Sequence, residues 1–514
     1  MQFPILSALT YLPLVGALVL LFIPRDRKEA IKSAAIATSA LTVGLSALAW
    51  YAQASAGSPG MQLVERAPWI PQIGVFYHMG VDGISMPLVF LSALITLLSL
   101  MYSWNIEDRT KEYFVLFLIL QTSITGVFVA LDFFLFYIFW EVSLVPMYFI
   151  IGIWGHKPRC EYAAIKFFLY TLAGSLLMLL AILACWWFSG PTMADRTFDM
   201  VDMFAKDPAS RMAAAGLTTL PMLCFWGMFV GFAVKVPSFP FHTWLPDAHV
   251  EAPTAGSVVL AGLLLKLGGY AMIRVLLPLF PEQFREAAIP MGILALISII
   301  YGSLVAMAQP NLKKLIAYSS IAHMGFVTLG LASGTPDGIA GAVVQMFSHG
   351  LLTSALFLLA GTVYERAHTY DIARFGGIYQ IAPVFGGVFI FICMGSLGLP
   401  SMSGFVAELF VLLGAYQAGT DANSAMLLGS PLFAGLSLLG IVLSAGYLLW
   451  TVQRVLMGEL KEEWRKWPDL TRLEIACLAP LMIGTLFIGI YPKPMIDAVH
   501  GAATALCGVL GNVV

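Results

Sequence analysis

Six ionisable residues stand inside long apolar runs of this 514-residue chain: Glu141, Lys235, Lys266, His323, His349 and Glu408. Glu141 lies in Phe139-Trp140-Glu141-Val142-Ser143-Leu144, and Lys266 in Leu263-Leu264-Leu265-Lys266-Leu267-Gly268-Gly269. A charge at the centre of a bilayer costs about 2.5–3.5 kcal/mol on insertion scales, so each of these residues needs something to offset it. The set suits proton relay. Loss of water disfavours a charged lysine and a nearby carboxylate favours it, so making or breaking a Glu–Lys pair switches proton affinity. Two unit charges about 4 Å apart interact by roughly 4 kcal/mol at an effective dielectric near 20, enough to load or release a proton. Histidine titrates near neutrality and bridges between lysines. Static roles stand beside these. Glu141 and Lys235 fit an ion pair that locks two helices, and Glu408 fits a cap on freed N–H groups. His323 and His349 fit core histidines bonded to carbonyls, and Lys166 fits a side chain that snorkels to the surface. His242, Asp247, His249 and Glu251 fit either a proton uptake path from one side or a solvated loop.

The elements that must hold these residues follow from composition. The chain is 59% hydrophobic and 11% charged, with a mean hydropathy of +0.86, against roughly 25% charged residues in a soluble domain. That excludes a soluble globule, a disordered chain and a nucleic-acid binder with a basic face. A spanning helix needs about 20 apolar residues, which gives about 14 spans. Their limits are 3–23, 31–53, 80–103, 113–131, 133–154, 162–188, 216–236, 254–277, 287–308, 312–332, 338–364, 381–416, 431–457 and 474–491. Residues 495–513 read as a short helix or tail. The first run reads as a span rather than a cleaved signal, because Arg25, Arg27 and Lys28 follow it instead of preceding it. The runs are continuous rather than alternating, which excludes a membrane β-barrel. The expected fold is an all-α polytopic bundle.

Two spans are interrupted alike, at Val236-Pro237-Ser238-Phe239-Pro240 in the seventh and Gly398-Leu399-Pro400-Ser401 in the twelfth. Paired breaks in two halves point to inverted repeats with the functional site between them. The chain then divides into helices 1–3 (1–112), a first five-helix repeat (113–277), a second (287–457), and a last helix with a tail (474–514). Lys and Arg in the loops divide about 17 to 7 between the two sides, with both termini on the poorer, outer side. The net charge of −2 implies no charged partner, and the six cysteines lie far apart without CxxC, as packing residues. No nucleotide, haem or iron–sulfur motif is visible.

The run from Phe241-His242-Thr243-Trp244-Leu245-Pro246-Asp247-Ala248-His249 through Glu251-Ala252-Pro253-Thr254-Ala255-Gly256-Ser257 resembles the antiporter-like membrane subunits of NADH–quinone oxidoreductase, respiratory complex I. Leu265-Lys266-Leu267-Gly268-Gly269-Tyr270, Phe139-Trp140-Glu141 and Tyr364-Glu365-Arg366-Ala367-His368-Thr369 fit the same family. Glu408 on the broken twelfth span, where relatives carry Lys, and an end at Val514 without a long lateral helix single out one member. The resemblance implies a proton-translocating subunit with no redox chemistry of its own. It places Glu141 and Lys235 as a controlling pair, Lys266 as central carrier, His323 and His349 as connectors, and Glu408 at the exit. It implies no cofactor in this chain: NADH, FMN, iron–sulfur clusters and quinone belong to partner subunits. Related antiporter-like subunits flank it in a bacterial plasma membrane, among lipids. A multi-subunit Na+/H+ antiporter shares the core and is the alternative. A structural scaffold is separated by Lys266→Ala: a relay subunit assembles and loses proton pumping, measured in sealed vesicles, whereas a scaffold loses assembly on a blot.

Overall fold

Polarity orders this bundle from the centre outward. The computed structural model describes residues 3–57, 60–420 and 427–511. Among them, 13 helices are long and apolar enough to cross a membrane. The chain opens with α1 (Ile5–Phe22) and α2 (Lys28–Ala56), then an antiparallel hairpin of β1 (Gln62–Ile70) and β2 (Val75–Val81). Helices α3 (Ser85–Tyr102) and α4 (Thr110–Val129) follow. The fifth span is α5 (Phe133–Val142) with α6 (Leu144–Trp154), and the sixth is α7 (Cys160–Phe188). Two short helices, α8 (Met200–Lys206) and α9 (Pro208–Ala214), lead to the seventh span, α10 (Leu220–Lys235) with α11 (Trp244–Glu251). The eighth span holds α12 (Thr254–Val259), α13 (Leu265–Ala271) and α14 (Leu277–Leu279), joined by π-helical turns at Leu260–Leu264 and Met272–Leu276. Then come α15 (Pro281–Met307), α16 (Leu312–Ala332) and α17 (Pro336–Ala367). The twelfth span is α18 (Pro383–Ser396) with α19 (Ser403–Thr420). Helices α20 (Leu432–Leu456), α21 (Arg472–Ile490) and α22 (Lys493–Gly511) close the chain.

The apolar stretches of the eighth span and α17 are wholly buried and that of α16 nearly so, whereas those of α2, α20 and α21 turn most of their surface outward. The buried spans carry Lys266, His323 and His349. Lipid tolerates only apolar side chains, so polar groups collect where protein replaces lipid. Five of the six cysteines are buried packing residues as well.

Three features differ from the sequence expectation. First, the all-α reading omits the hairpin, and the third span begins at Ser85 rather than 80. The hairpin's work is local: Glu65 of β1 accepts from the Leu6 N–H at 2.7 Å and the Ser7 N–H at 3.1 Å. It thereby caps α1, whose own Pro4 offers no capping side chain. Second, the fifth span is broken at Ser143, because Pro146 cannot donate to the carbonyl of Val142. Asp132 caps its first half at the N–H groups of Phe134 and Leu135 and ties it to the hairpin through the Phe76 N–H. Burial pushes this carboxyl up to about 6 against those hydrogen bonds. Third, residues 244–251 form a helix rather than a loop.

Of the short helix or tail expected over 495–513, the structure has the helix, α22. Ala498 sits on Gly83, His500 faces Asp337 at 3.4 Å and Leu510 lies against Gly334. Those partners all belong to the end of the bundle that carries the hairpin, so α22 lies across that end rather than through the membrane. Setting it aside and adding the two interrupted spans gives the fourteen expected. At the opposite, basic end, Lys28 and Lys32 bond Glu107 at 2.8 and 2.6 Å and pull its carboxyl down to about 2. There too, Arg366 grips Glu474 with two bonds of 2.8 and 2.9 Å.

A β-carbon on Gly83 would fall 1.7 Å from the Ala498 carbonyl oxygen. Gly83→Ala is expected to cost about 1–3 kcal/mol by overpacking and to loosen α22. A lower unfolding temperature and faster proteolysis within α22 are the readouts.

Candidate proton-relay site

Lys266 sits at the centre of the bundle because α13 does, with its side chain fully buried. The π-helical turn before it widens the helix, and the ammonium reaches back to the Ala261 carbonyl inside that turn. Its second partner is His349 Nδ1 on α17, at 2.7 Å. A lysine ammonium only donates, so His349 accepts at Nδ1 and carries its own proton at Nε2. Two full charges at this distance would repel by roughly 4 kcal/mol or more.

From His349 the polar line continues into the second half of the chain. The ring of His349 lies 5.7 Å from that of His323 on α16. His323 Nδ1 stands 3.5 Å from Glu408 Oε1 and 3.5 Å from the Gln345 amide nitrogen, and its Nε2 is 3.4 Å from the Ser396 hydroxyl. These side chains, with Ser348, Leu352 and Gly404, surround a cavity of ≈ 10 Å³, about the space one water molecule needs. His349 Nε2 and Gln345 Oε1 have no hydrogen-bond partner, so both can exchange bonds here. Glu408 belongs to the second turn of α19, and its carboxylate lies on Gly398 in the break of the twelfth span. Gly398 has φ +83°, a conformation that favours glycine. Glu408 therefore turns toward histidine and does not cap the freed N–H groups.

Glu141 and Lys235 form a second, separate cluster. No direct ion pair within 4.0 Å joins them. Lys235, the last residue of α10, donates to Ser143 Oγ at 3.4 Å and lies over the Trp140 ring at 5.3 Å. Glu141 acts on it through space, and one Glu141 oxygen is buried without a partner. A cation at a helix C-terminus is favoured by the helix dipole, which adds to the hold on Lys235. The locked ion pair is thus replaced by a spaced pair with the Ser143 break between. Of the six residues, Lys266, His349, His323 and Glu408 form one continuous line; Glu141 and Lys235 stand apart from it.

Three neighbours were not expected in this form. His249 is fully buried, stacked on Phe357 at 4.5 Å with both ring nitrogens unpartnered, and lies in the fields of Lys266 and Lys313. Lys313, counted from sequence as a loop charge, is buried and donates to the Ala252 carbonyl at 2.6 Å at the end of α11. Arg274, likewise counted in a loop, is buried against Asp82 at 2.6 Å. Its signal was present: it falls two turns after Lys266 inside the same apolar run. Lys166 does not snorkel free but pairs with Asp247 of α11 at 2.6 Å. His242 is buried among Phe239, Tyr301 and Tyr318.

Residues 130–433 match the family described as NADH:quinone oxidoreductase/Mrp antiporter, and residues 68–131 match the amino terminus of NADH-ubiquinone oxidoreductase chain 4. The chain is 44% identical over 504 residues to NADH-quinone oxidoreductase subunit M of Rhodobacter capsulatus, covering 96% of this chain and 94% of that one. A chain of respiratory complex I from Thermus thermophilus is similar with a TM-score of 0.86 and 31% identity, over 98% of this chain and 100% of that one. A chain of the Mrp complex from Dietzia has a TM-score of 0.79 at 18% identity, over 99% of both chains, a likeness of fold alone.

A β-carbon at Gly398 would stand 2.7 Å from Glu408 Oε2. Gly398→Ala is expected to push Glu408 off its place beside His323 and to lower proton transport in reconstituted vesicles severalfold, with the protein still inserted.

Proposed function

This chain belongs to the NADH:quinone oxidoreductase/Mrp antiporter family, and on that premise we propose that it is the proton-translocating subunit M of an NADH–quinone oxidoreductase. The observation that carries the reading is the 2.7 Å bond between Lys266 and His349 at the bundle centre, continued through His323 to Glu408. A core built only to pack would hold apolar side chains there. The match of residues 68–131 to chain 4 and the 44% identity to a subunit M favour this over the Na+/H+ antiporter alternative, whose solved Mrp chain is 18% identical.

Protons are taken up at the basic end, beside α11, where Lys313 and His249 lead from the helix terminus toward Lys266. They pass laterally to His349 and His323 and leave by Glu408 toward the hairpin end. The first five-helix unit (113–277) holds the uptake half and the second (287–457) the release half. Glu141 and Lys235 set the loading of Lys266 from a distance, driven by the neighbouring subunit. The excess of Lys and Arg at the end opposite the hairpin supports an inner basic face and outer termini; moving Arg274 and Lys313 out of the loops leaves that bias in place. The membrane is the bacterial plasma membrane. The subunit's share of the enzyme is translocation: NADH, FMN, iron–sulfur clusters and quinone stay with partner subunits, and related antiporter-like subunits pack on either side.

The test is Lys235→Ala in the assembled complex, with NADH-driven quinone reduction and proton pumping measured in sealed vesicles beside a blot for assembly. Assembly with both activities reduced together is the expected result. Unchanged activities make the Glu141–Lys235 pair decorative and sink the assignment.

A further inference from the structure

The two directions out of Lys266 are built differently. Toward α17 the groups are uncommitted: His349 Nε2 and Gln345 Oε1 lack partners and face the small cavity. Toward the hairpin end the groups next in line hold fixed bonds. Tyr270 stands one turn beyond Lys266 on the same face of α13, buried, and its hydroxyl donates to the Phe128 carbonyl at 2.9 Å. The Tyr270 oxygen in turn accepts from Arg274 Nε at 3.3 Å. Arg274 donates to Asp82 Oδ1 at 2.6 Å, and that same oxygen accepts from the Ile84 and Ser85 N–H groups at 3.0 Å each. Asp82 is thereby both the partner of Arg274 and the cap of α3.

A proton wire needs groups that accept on one side and donate on the other. Guanidinium has no acceptor and does not give up its proton in proteins. The single proton of Tyr270 is turned to a backbone carbonyl, and its oxygen lies against a fixed cation. Asp82 Oδ1 already accepts from three donors. Arg274 and Asp82 are almost fully buried, so water does not replace these bonds. The helix α22 lies over the site, with Ala498 on Gly83, the residue after Asp82.

We propose that Asp82, Arg274 and Tyr270 form a proton-blocking plug that closes the hairpin end of the first half, so that protons held at Lys266 leave only toward His349. The inference rests on the relay reading above and adds to it the residues that forbid the short route outward. They are positioning residues: none carries the transported proton.

The intact complex in sealed vesicles, with a pH-sensitive dye inside and an imposed pH gradient but no NADH, tests it. Arg274→Ala is expected to raise passive proton leak by about tenfold, a barrier lowered by about 1.4 kcal/mol. NADH-driven quinone reduction continues in Arg274→Ala, with fewer protons retained per turnover. Should Arg274→Ala fail to assemble, the double variant Asp82→Asn with Arg274→Gln removes both charges together and carries the same expectation. The leak is then measured in a Glu408→Gln background. A leak that persists there runs through the first half and supports the plug. A leak abolished by Glu408→Gln, or an assembled Arg274→Ala complex as tight as the unaltered one, overturns it. NADH-driven pumping by Glu408→Gln alone reads the relay separately.

Discussion

A lysine ammonium at the centre of an apolar bundle has to share its charge, and Lys266 shares it with His349 across 2.7 Å. Much of the architecture serves that contact. The π-helical turn at Leu260–Leu264 presents a carbonyl to the ammonium. Gly268 and Gly269 let α13 approach its neighbours: a β-carbon at Gly268 would stand 2.6 Å from the Phe232 carbonyl oxygen. The eighth span and α17 are both removed from lipid along their length. An unpaired charge there would cost several kcal/mol, more than the local packing of a few side chains recovers, so the partner histidine is a condition of the fold as well as of proton transfer.

Helix breaks are the second device. Each frees backbone groups that lipid cannot satisfy, so each must face protein. The break at Ser143 brings a hydroxyl to Lys235. The break after Lys235 ends α10 on a cation, the charge its terminus favours. The break around Gly398 leaves room for the Glu408 carboxylate, where any side chain would displace it. Irregular backbone thus falls at Glu141, Lys235, Lys266 and Glu408, whereas His323 and His349 stand on regular helices.

Direction comes from commitment of hydrogen bonds rather than from charge alone. Groups around the cavity between His349 and Glu408 keep free donors and acceptors, whereas the Tyr270 hydroxyl, Arg274 Nε and Nη2 and Asp82 Oδ1 are committed in fixed directions. The hairpin and α22 reinforce the committed end by capping α1 and covering Gly83.

The sequence by itself determined the membrane class, the number of spans, both major breaks and the six ionisable residues, because a charge or a proline within an apolar run is visible without any partner. It could not tell which spans are central: composition marks what a helix is made of, and burial depends on its neighbours. Lys313 and Arg274 read as loop charges for that reason, although Val250, Ala252 and Asp82 enclose them. The hairpin is hidden in the sequence because its first strand carries Pro68 and ends against Pro71, while its pairing, Ala67 with Tyr77 for one, shows only in the fold. Glu141 and Lys235 looked like one pair, but tertiary structure set Ser143 and Trp140 between them. Only the folded chain decided that Lys266 meets a histidine 83 residues away, since a contact of that reach is fixed by how the buried helices pack and not by any local pattern.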